Sequence, residues 1–341
     1  MVPEDGRRMP FEQSKSWWGA SVGDGRFVCE LSGEEIARLF GGDGGNWRAR
    51  IRKGRVRFPE LSWWSDPRQV PNPRFVGGED VCLPPKAVRG REVETYREVC
   101  AGDFHVPYHD LQAVGILLGY LKDNPPDGFT LGGDFADFYQ VSKFNKDPQR
   151  ALELQNDLDM ANAVLDAIDT ALPDDCTKRF LVGNHEVRME NYLKGEGVAL
   201  TSLKCLRIES LLRLDERGYE VVPMVARDSS VFIGAVEVGH FDKVCKHSAY
   251  TEKLLMDDRG CSLMQFHTHR RGAHYRRLRG TGEELGGWGP GCMCDLNPEY
   301  CSKPNWHQGF ATITTTKGSD RFHVDLHEII GGELLVGNVR Y

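Results

Sequence analysis

The sequence predicts a layered α/β fold, and three observations carry that prediction. From Val99 onward, short apolar runs of strand length alternate with longer stretches of helical periodicity. Five of those runs end in a short polar motif: Asp103-Phe104-His105, Gly133-Asp134, Gly183-Asn184-His185-Glu186, Gly239-His240 and His267-Thr268-His269. The chain then closes on two strand-like stretches, 311–316 and 321–326, around the turn Lys317-Gly318-Ser319-Asp320. Polar residues that are far apart in sequence yet each follow a strand are how such folds assemble a site at strand ends.

Residues 1–28 are polar and glycine-rich, with Trp17-Trp18 as the one large apolar anchor, and predict a loosely ordered arm. Ser32 followed by Glu35 is a capping box, and Ile36, Leu39 and Phe40 form one apolar face, so a helix is predicted over 31–40. Glycines in 41–45 end it. A second short helix is predicted over 46–53, with Trp47 and Ile51 four apart. Two such helices make a helix-turn-helix-like segment whose second helix carries Arg48, Arg50, Arg52 and Lys53, with Arg55 and Arg57 just after. That basic helix is a candidate contact for nucleic-acid phosphates. Two other readings stand beside it: a β-hairpin turning at Lys53-Gly54, and a solvated charged face without a partner. Residues 59–95, rich in proline and glycine and anchored by Trp63, Trp64 and Phe75, read as a linker.

After the linker, residues 99–102 lead into the first motif and 111–121 form an apolar helix. Strand 128–131 precedes Asp134, and a long amphipathic helix spans 151–172. Strand 179–182 precedes Asn184, and 208–214 is a short helix. A single apolar run, 231–238, leads to His240, and 263–266 leads to His267.

Composition bounds the answer. The 341 residues are 40% hydrophobic and 27% charged, ordinary for a globular protein, and their length suggests one large domain and one smaller. No apolar stretch reaches the ~18 residues a membrane span needs, and residues 1–25 hold no signal-peptide h-region. A cytoplasmic protein with no membrane partner is expected, its ten cysteines mostly reduced. The net charge of −7 is uneven: residues 1–95 hold 16 Lys/Arg against 14 Asp/Glu, and the remainder 27 against 36. Five of the seven tryptophans also lie in the first part. Both shifts place a domain boundary at 95/96, separating an N-terminal segment, 1–95, from a main domain, 96–341.

The five motifs share one chemistry. Asp, Asn and His bind hard or borderline divalent metals through O and N. Phosphate esters are anionic and hydrolyse slowly, and two metals about 3.5–4 Å apart clamp their oxygens and acidify a bridging water. That chemistry needs a carboxylate able to touch both metals, neutral ligands on each side, and a histidine free to protonate the leaving oxygen. A lone Asp after a strand is usually a helix cap, and a lone His a surface or core residue. The ordered set, with His267 and His269 two apart at a strand end, is harder to explain that way.

The order and spelling of the motifs resemble the calcineurin-like metallophosphoesterase superfamily, over about 70% of the chain. Phe266 departs from the pattern, which has glycine before the first histidine of the last motif. A closer resemblance, to phage- and prophage-encoded members, rests on 103–110, Gly133-Asp134-Phe135, His269-Arg270-Arg271-Gly272 and 305–310. The resemblance implies a four-layer α/β/β/α sandwich. It implies that Asp103, His105 and His269 bind one metal, that Asn184, His240 and His267 bind a second, and that Asp134 bridges them. His185 would be the general acid or transition-state stabiliser, and Glu186 would orient a neighbour. Mn²⁺ is the metal expected, with Fe, Zn or Ni as alternatives.

The expected activity is two-metal hydrolysis of phosphate esters by a hydroxide held between the metals. The basic N-terminal segment points to nucleic-acid or nucleotide phosphodiesters, DNA or RNA, as substrates. Small-molecule or protein phosphomonoesters are the alternative, and a nucleic-acid-binding protein with a scaffold-only hydrolase domain is the alternative of another class. Arg270 and Arg271, next to the last ligand, are candidates for holding a substrate phosphate. Cys292, Cys294, Cys301 and His307 are candidates for a structural zinc site, and the other reading is a glycine- and cysteine-rich loop that packs beside the active-site rim.

Overall fold

The computed structural model describes residues 15–22, 26–41, 44–61, 90–143, 145–147, 153–297 and 304–341. The chain forms two compact units, residues 1–90 and 91–341.

In the first unit, α1 (Lys15–Trp18) is followed by α2 (Gly33–Phe40) and α3 (Gly44–Arg57). Ser32 caps α2 as a full capping box: its Oγ accepts from Glu35 N, and Glu35 Oε2 accepts from Ser32 N. Residues 44–57 form one continuous helix, which overturns the hairpin reading. The reason is the buried stripe Trp47, Ile51 and Gly54 at i, i+4 and i+7. Burying a side chain such as Ile51 contributes about 1.5–3 kcal/mol, more than the roughly 1 kcal/mol that a glycine costs inside a helix. The stripe packs on Ile36, Leu31, Val28 and Trp18, and Trp17 stacks on Trp47 at 5.7 Å. Gly33 is required by this packing, because a Cβ there would lie 2.5 Å from the Gly44 carbonyl oxygen. The expected loose arm is therefore corrected over 15–22 and 26–28, where Trp18 and Val28 are core residues. The rest of that arm, and Trp63, Trp64 and Phe75 of the expected linker, lie outside the described residues.

The second unit holds two sheets. Four parallel strands, β1 (Thr95–Ala101), β2 (Gly128–Leu131), β3 (Thr177–Leu181) and β4 (Tyr219–Val222), form half of the first. The second sheet is built from β5 (Asp228–Ile233), β6 (Val236–Phe241), β7 (Ser262–Gln265), β8 (Arg271–Arg277) and β9 (Glu284–Pro290), in the order β5-β6-β7-β9-β8. The chain then returns to the first sheet through β10 (Gln308–Thr316), antiparallel to β1, and β11 (Phe322–Ile330), β12 (Glu333–Val336) and β13 (Val339–Arg340). The helices are α4 (Leu111–Asp123), α5 (Leu154–Ala171), α6 (Glu186–Gly195), α7 (Ile208–Leu211), α8 (Leu214–Arg217) and α9 (Tyr250–Arg259). Among the described residues, no helix is long and apolar enough to cross a membrane.

Strand alternation fixes the layers. Val99 and Ala101 of β1 join a core with Leu117 and Leu121 of α4 and Leu165 and Ile168 of α5. Cys100, between them, faces the other way, into a core shared with Val238, Met264 and Phe266 of the second sheet. On that sheet's far side, Phe241 and Leu263 pack on Leu255 and Met256 of α9. The result is a four-layer α/β/β/α sandwich. Two expectations are corrected in detail. The run 231–238 is a hairpin, β5 and β6, because Gly234 takes a positive φ of 57° and turns the chain there. The helix expected over 208–214 is two short helices, α7 and α8, separated by Arg213 in the left-handed conformation.

Candidate metal centre

The five motifs converge at the C-terminal ends of β1, β2 and β3 in one sheet and of β6 and β7 in the other. Local geometry marks the positions. Asp103, His105, Asp134, His267 and His269 all have positive φ, between 48° and 81°. Non-glycine residues pay a backbone penalty there, and such strain gathers at functional sites. The surrounding network imposes it. Asp103 N donates to Gly133 O, His105 N to Asp134 O, and His267 N to the Asp103 carboxylate at 2.9 Å.

The side chains form two groups that meet at Asp134. In the first, His105 Nε2 and His269 Nε2 face each other at 3.0 Å, and His269 Nε2 lies 3.5 Å from Asp103 Oδ1. In the second, His240 Nε2 lies 3.1 Å from Asn184 Oδ1 and 3.4 Å from Asp134 Oδ2, with His267 within ligand range. Asp134 Oδ2 is also 3.9 Å from His105 Nε2, so one oxygen lies between both groups. Asp103, Asp134 and His240 are fully buried, and His105 nearly so.

Burial opposes charge on Asp103 and Asp134, yet the surrounding histidines hold both carboxyls below their usual range. Burial would likewise lower His240, but Asp134 and Asp103 raise it to about 10. His105 is pushed down to about 4 by burial and by His185. Buried carboxylates surrounded by imidazole nitrogens and one amide oxygen are the donor set of a divalent cation site. The residues present therefore fit divalent-metal binding, with Asp134 Oδ2 within reach of both groups. Outer contacts complete the fit: His240 Nδ1 sits 2.9 Å from the Gly132 carbonyl, and His105 Nδ1 3.4 Å from Asp137 Oδ2.

His185 borders both groups: its Nδ1 lies 3.2 Å from His105 Nδ1 and its Nε2 3.8 Å from Asp134 Oδ2, and with His105 and Asp137 it forms a further cluster of metal-binding side chains. It opens α6, its backbone N–H donates to Asp134 Oδ1 at 2.8 Å, and its Nδ1 lies 3.1 Å from Asp137 Oδ2. Its Nε2 faces Arg188 Nη2 at 2.8 Å. Glu186 accepts from the backbone N–H groups of Asp134, Phe135, Ala136 and Gly183 at 2.8–3.0 Å, tying the second and third motif loops together. Burial and Asp134 push its carboxyl up to about 7, against those four donors.

Several assignments change. Arg270 Nη1 donates to the Cys245 and Lys246 carbonyls, and Arg271 Nε pairs with Glu328 at 3.1 Å. Neither lines the cleft of about 560 Å³ at the metal centre, which Arg188 does. Cys292 meets His307 at its carbonyl, to which both the Cys292 N–H and thiol donate, while the His307 imidazole Nδ1 accepts from Arg271 N; the side chains of Cys292 and Cys294 gather instead at His269, whose Nδ1 lies 3.9 Å from Cys294 Sγ. Cys301 lies outside the described residues. In the N-terminal unit, Arg48 pairs with Glu34 and the Arg50 guanidinium covers Trp47 at 4.8 Å, while Arg52 and Lys53 are exposed.

Sequence reasoning missed Asp137, Arg188 and Trp306, whose ring meets His269 at 4.4 Å, and paired Cys294 with His307 rather than His269. Two signals were available. Asp137 follows Asp134 by three residues, and Arg188 follows His185 by three at a helix start, which places both on one face.

No family model matches the chain. The Gene 54 protein of Mycobacterium phage L5 is 25% identical over 262 residues, covering 70% of this chain and 96% of that protein. The Gene 54 protein of Mycobacterium phage D29 is 26% identical over 250 residues, again covering 70% and 96%. Among solved structures, vacuolar protein sorting 29 from Cryptosporidium parvum aligns over 72% of this chain and 98% of its own at 12% identity, with a TM-score of 0.37. The Zn²⁺ complex of Vps29 from Entamoeba histolytica aligns over 67% and 97% at 11% identity, with a TM-score of 0.31.

Proposed function

We propose that this protein is a metal-dependent phosphoesterase of the calcineurin-like metallophosphoesterase type, acting on phosphodiesters of nucleotides or nucleic acids. One observation carries the reading: two O/N donor groups, buried and strained into place, that share the single oxygen Asp134 Oδ2. Divalent metals held there, Mn²⁺ above all, would neutralise phosphoryl charge and acidify a bound water. The chain's own residues do the rest. Asp103, His105 and His269 would hold one ion; Asn184, His240 and His267 would hold the other. Asp137 orients the His185 ring through Nδ1; Nε2, which accepts from Arg188 Nη2, would take up a proton from solvent and pass it to the leaving oxygen once that N–H turns to the substrate.

The diester preference rests on α3, where Arg52 and Lys53 offer exposed charge to a phosphate backbone. The test is a panel with Mn²⁺-reconstituted protein: bis-p-nitrophenyl phosphate, p-nitrophenyl phosphate, cyclic nucleotides, single- and double-stranded DNA, and RNA. Turnover of diesters above monoesters is expected. Replacing Arg52 and Lys53 with Ala should lower activity on long nucleic acids and flatten its salt dependence, leaving bis-p-nitrophenyl phosphate untouched. A clear monoester preference moves the assignment to a phosphatase, and no turnover with metal bound refutes the enzyme reading.

A further inference from the structure

Arg188 sits where the proposed chemistry needs a cation. It lies one turn into α6 from His185, and its Nη2 is 2.8 Å from His185 Nε2. Its other terminal nitrogen, Nη1, donates to the Asp137 carbonyl at 2.9 Å and to Asp137 Oδ1 at 3.3 Å. Asp137 thus fixes the guanidinium and the His185 ring together, both through its carbonyl oxygen and each through one carboxylate oxygen. A planar guanidinium already held in place loses little freedom when it binds an oxyanion.

The cleft makes the point specific. It is lined by Asp134, His105, His185, His267 and His269 on the metal side, and Arg188 is the one Lys or Arg among its described lining residues. The Arg188 side chain keeps 20% of its surface accessible, so its remaining N–H groups reach the cleft. Arg270 and Arg271, adjacent in sequence to a ligand, are occupied by backbone carbonyls and by Glu328. A phosphoryl group seated against the metal ligands would place a non-bridging oxygen toward the space between Arg188 and His185. The N–H that faces His185 Nε2 would turn to that oxygen, freeing Nε2 for the leaving group.

We infer that Arg188 binds the substrate's phosphoryl group beside His185, and that this residue, not Arg270 or Arg271, is the arginine of the substrate site. The inference rests on the hydrolase reading above and extends it to a specific contact. A positioning role, in which Arg188 only holds His185, is the competing account, and the two differ in what they move. Loss of a phosphoryl contact weakens binding of phosphate itself; loss of a support for His185 slows turnover at unchanged affinity.

The experiment uses full-length, Mn²⁺-loaded protein with Arg188→Ala and Arg188→Lys. Inorganic phosphate binding is measured by calorimetry, and KM and kcat with whichever p-nitrophenyl ester the wild type turns over. Phosphate binding should weaken about 10- to 100-fold in Arg188→Ala, the range for a charge-assisted hydrogen bond, with a matching rise in KM. Arg188→Lys should recover part of the loss, and free guanidinium ion should partly rescue Arg188→Ala. Metal content should not change in either variant. The inference is overturned if Arg188→Ala binds phosphate within about twofold of the wild type while kcat falls, or if the wild type binds no phosphate. Arg188-dependent phosphate binding without turnover of any ester would support the contact and refute the hydrolase reading, so the two claims fail separately.

Discussion

His240 and His269 face the same buried carboxylates from the two halves of the metal centre, and they are held by different means. His240 is part of a regular strand, β6, has no exposed surface, and has its Nδ1 2.9 Å from the Gly132 carbonyl of the opposing sheet. His269 lies in a loop at a positive φ of 56°, and its Nδ1 meets a cysteine sulfur, Cys294 Sγ, at 3.9 Å. Its other supports come from the same distant stretch: His307 N donates to its carbonyl, and Trp306 packs on its ring. One half of the centre is therefore set by the two sheets, while the other depends on Cys294, Trp306 and His307, which lie between β9 and β10 in the chain. A carbonyl is a strong, fixed acceptor; a thiol at nearly 4 Å is a weak one.

The largest expected effect erases the comparison. Asp134→Ala removes the oxygen that both halves share, so metal analysis of Mn²⁺-reconstituted protein should find neither ion retained, and hydrolysis should fall to background. Retention of one full equivalent would show that the halves bind independently. Next in size is the contrast of chemistry with binding. His185→Ala should keep its metals and lose about 10²- to 10⁴-fold in kcat, the range for general acid–base help, whereas His240→Ala should lose metal as well. Equal metal loss in the two variants would place His185 among the ligands. The smallest effect addresses the comparison directly. Cys294→Ala should weaken metal affinity at the His269 half by about 10-fold, the lower end for an outer support of a ligand, with the His240 half unaffected. Cys294→Ser, which restores an acceptor, should recover part of that loss. If Cys294→Ala titrates like the wild type, the thiol is packing only.

What could be read in advance follows from the range of the interactions concerned. The five motifs were legible because each is local: a strand, a glycine or apolar residue, then a metal-binding side chain. Ser32 and Glu35 were legible for the same reason, since a capping box spans four residues. The fate of α3 was open in the sequence. Basic and apolar residues alternate there, and only the packing of Trp47, Ile51 and Gly54 against Ile36 favours the helix. The single run 231–238 concealed a hairpin because β5 and β6 are both apolar and one glycine divides them.

By itself, then, the sequence determined the layered α/β class, the order of the motif loops and the chemical type of the donors, all of which reside in short windows of residues. Tertiary structure alone decided which arginine reaches the cleft, which group stands behind each histidine, and where the cysteines go. Asp137 reaches His185 across 48 positions, and Cys294 reaches His269 across 25. Contacts of that span are made by how the two sheets stack and by where residues 291–297 and 304–307 sit against them, and local spacing does not fix either.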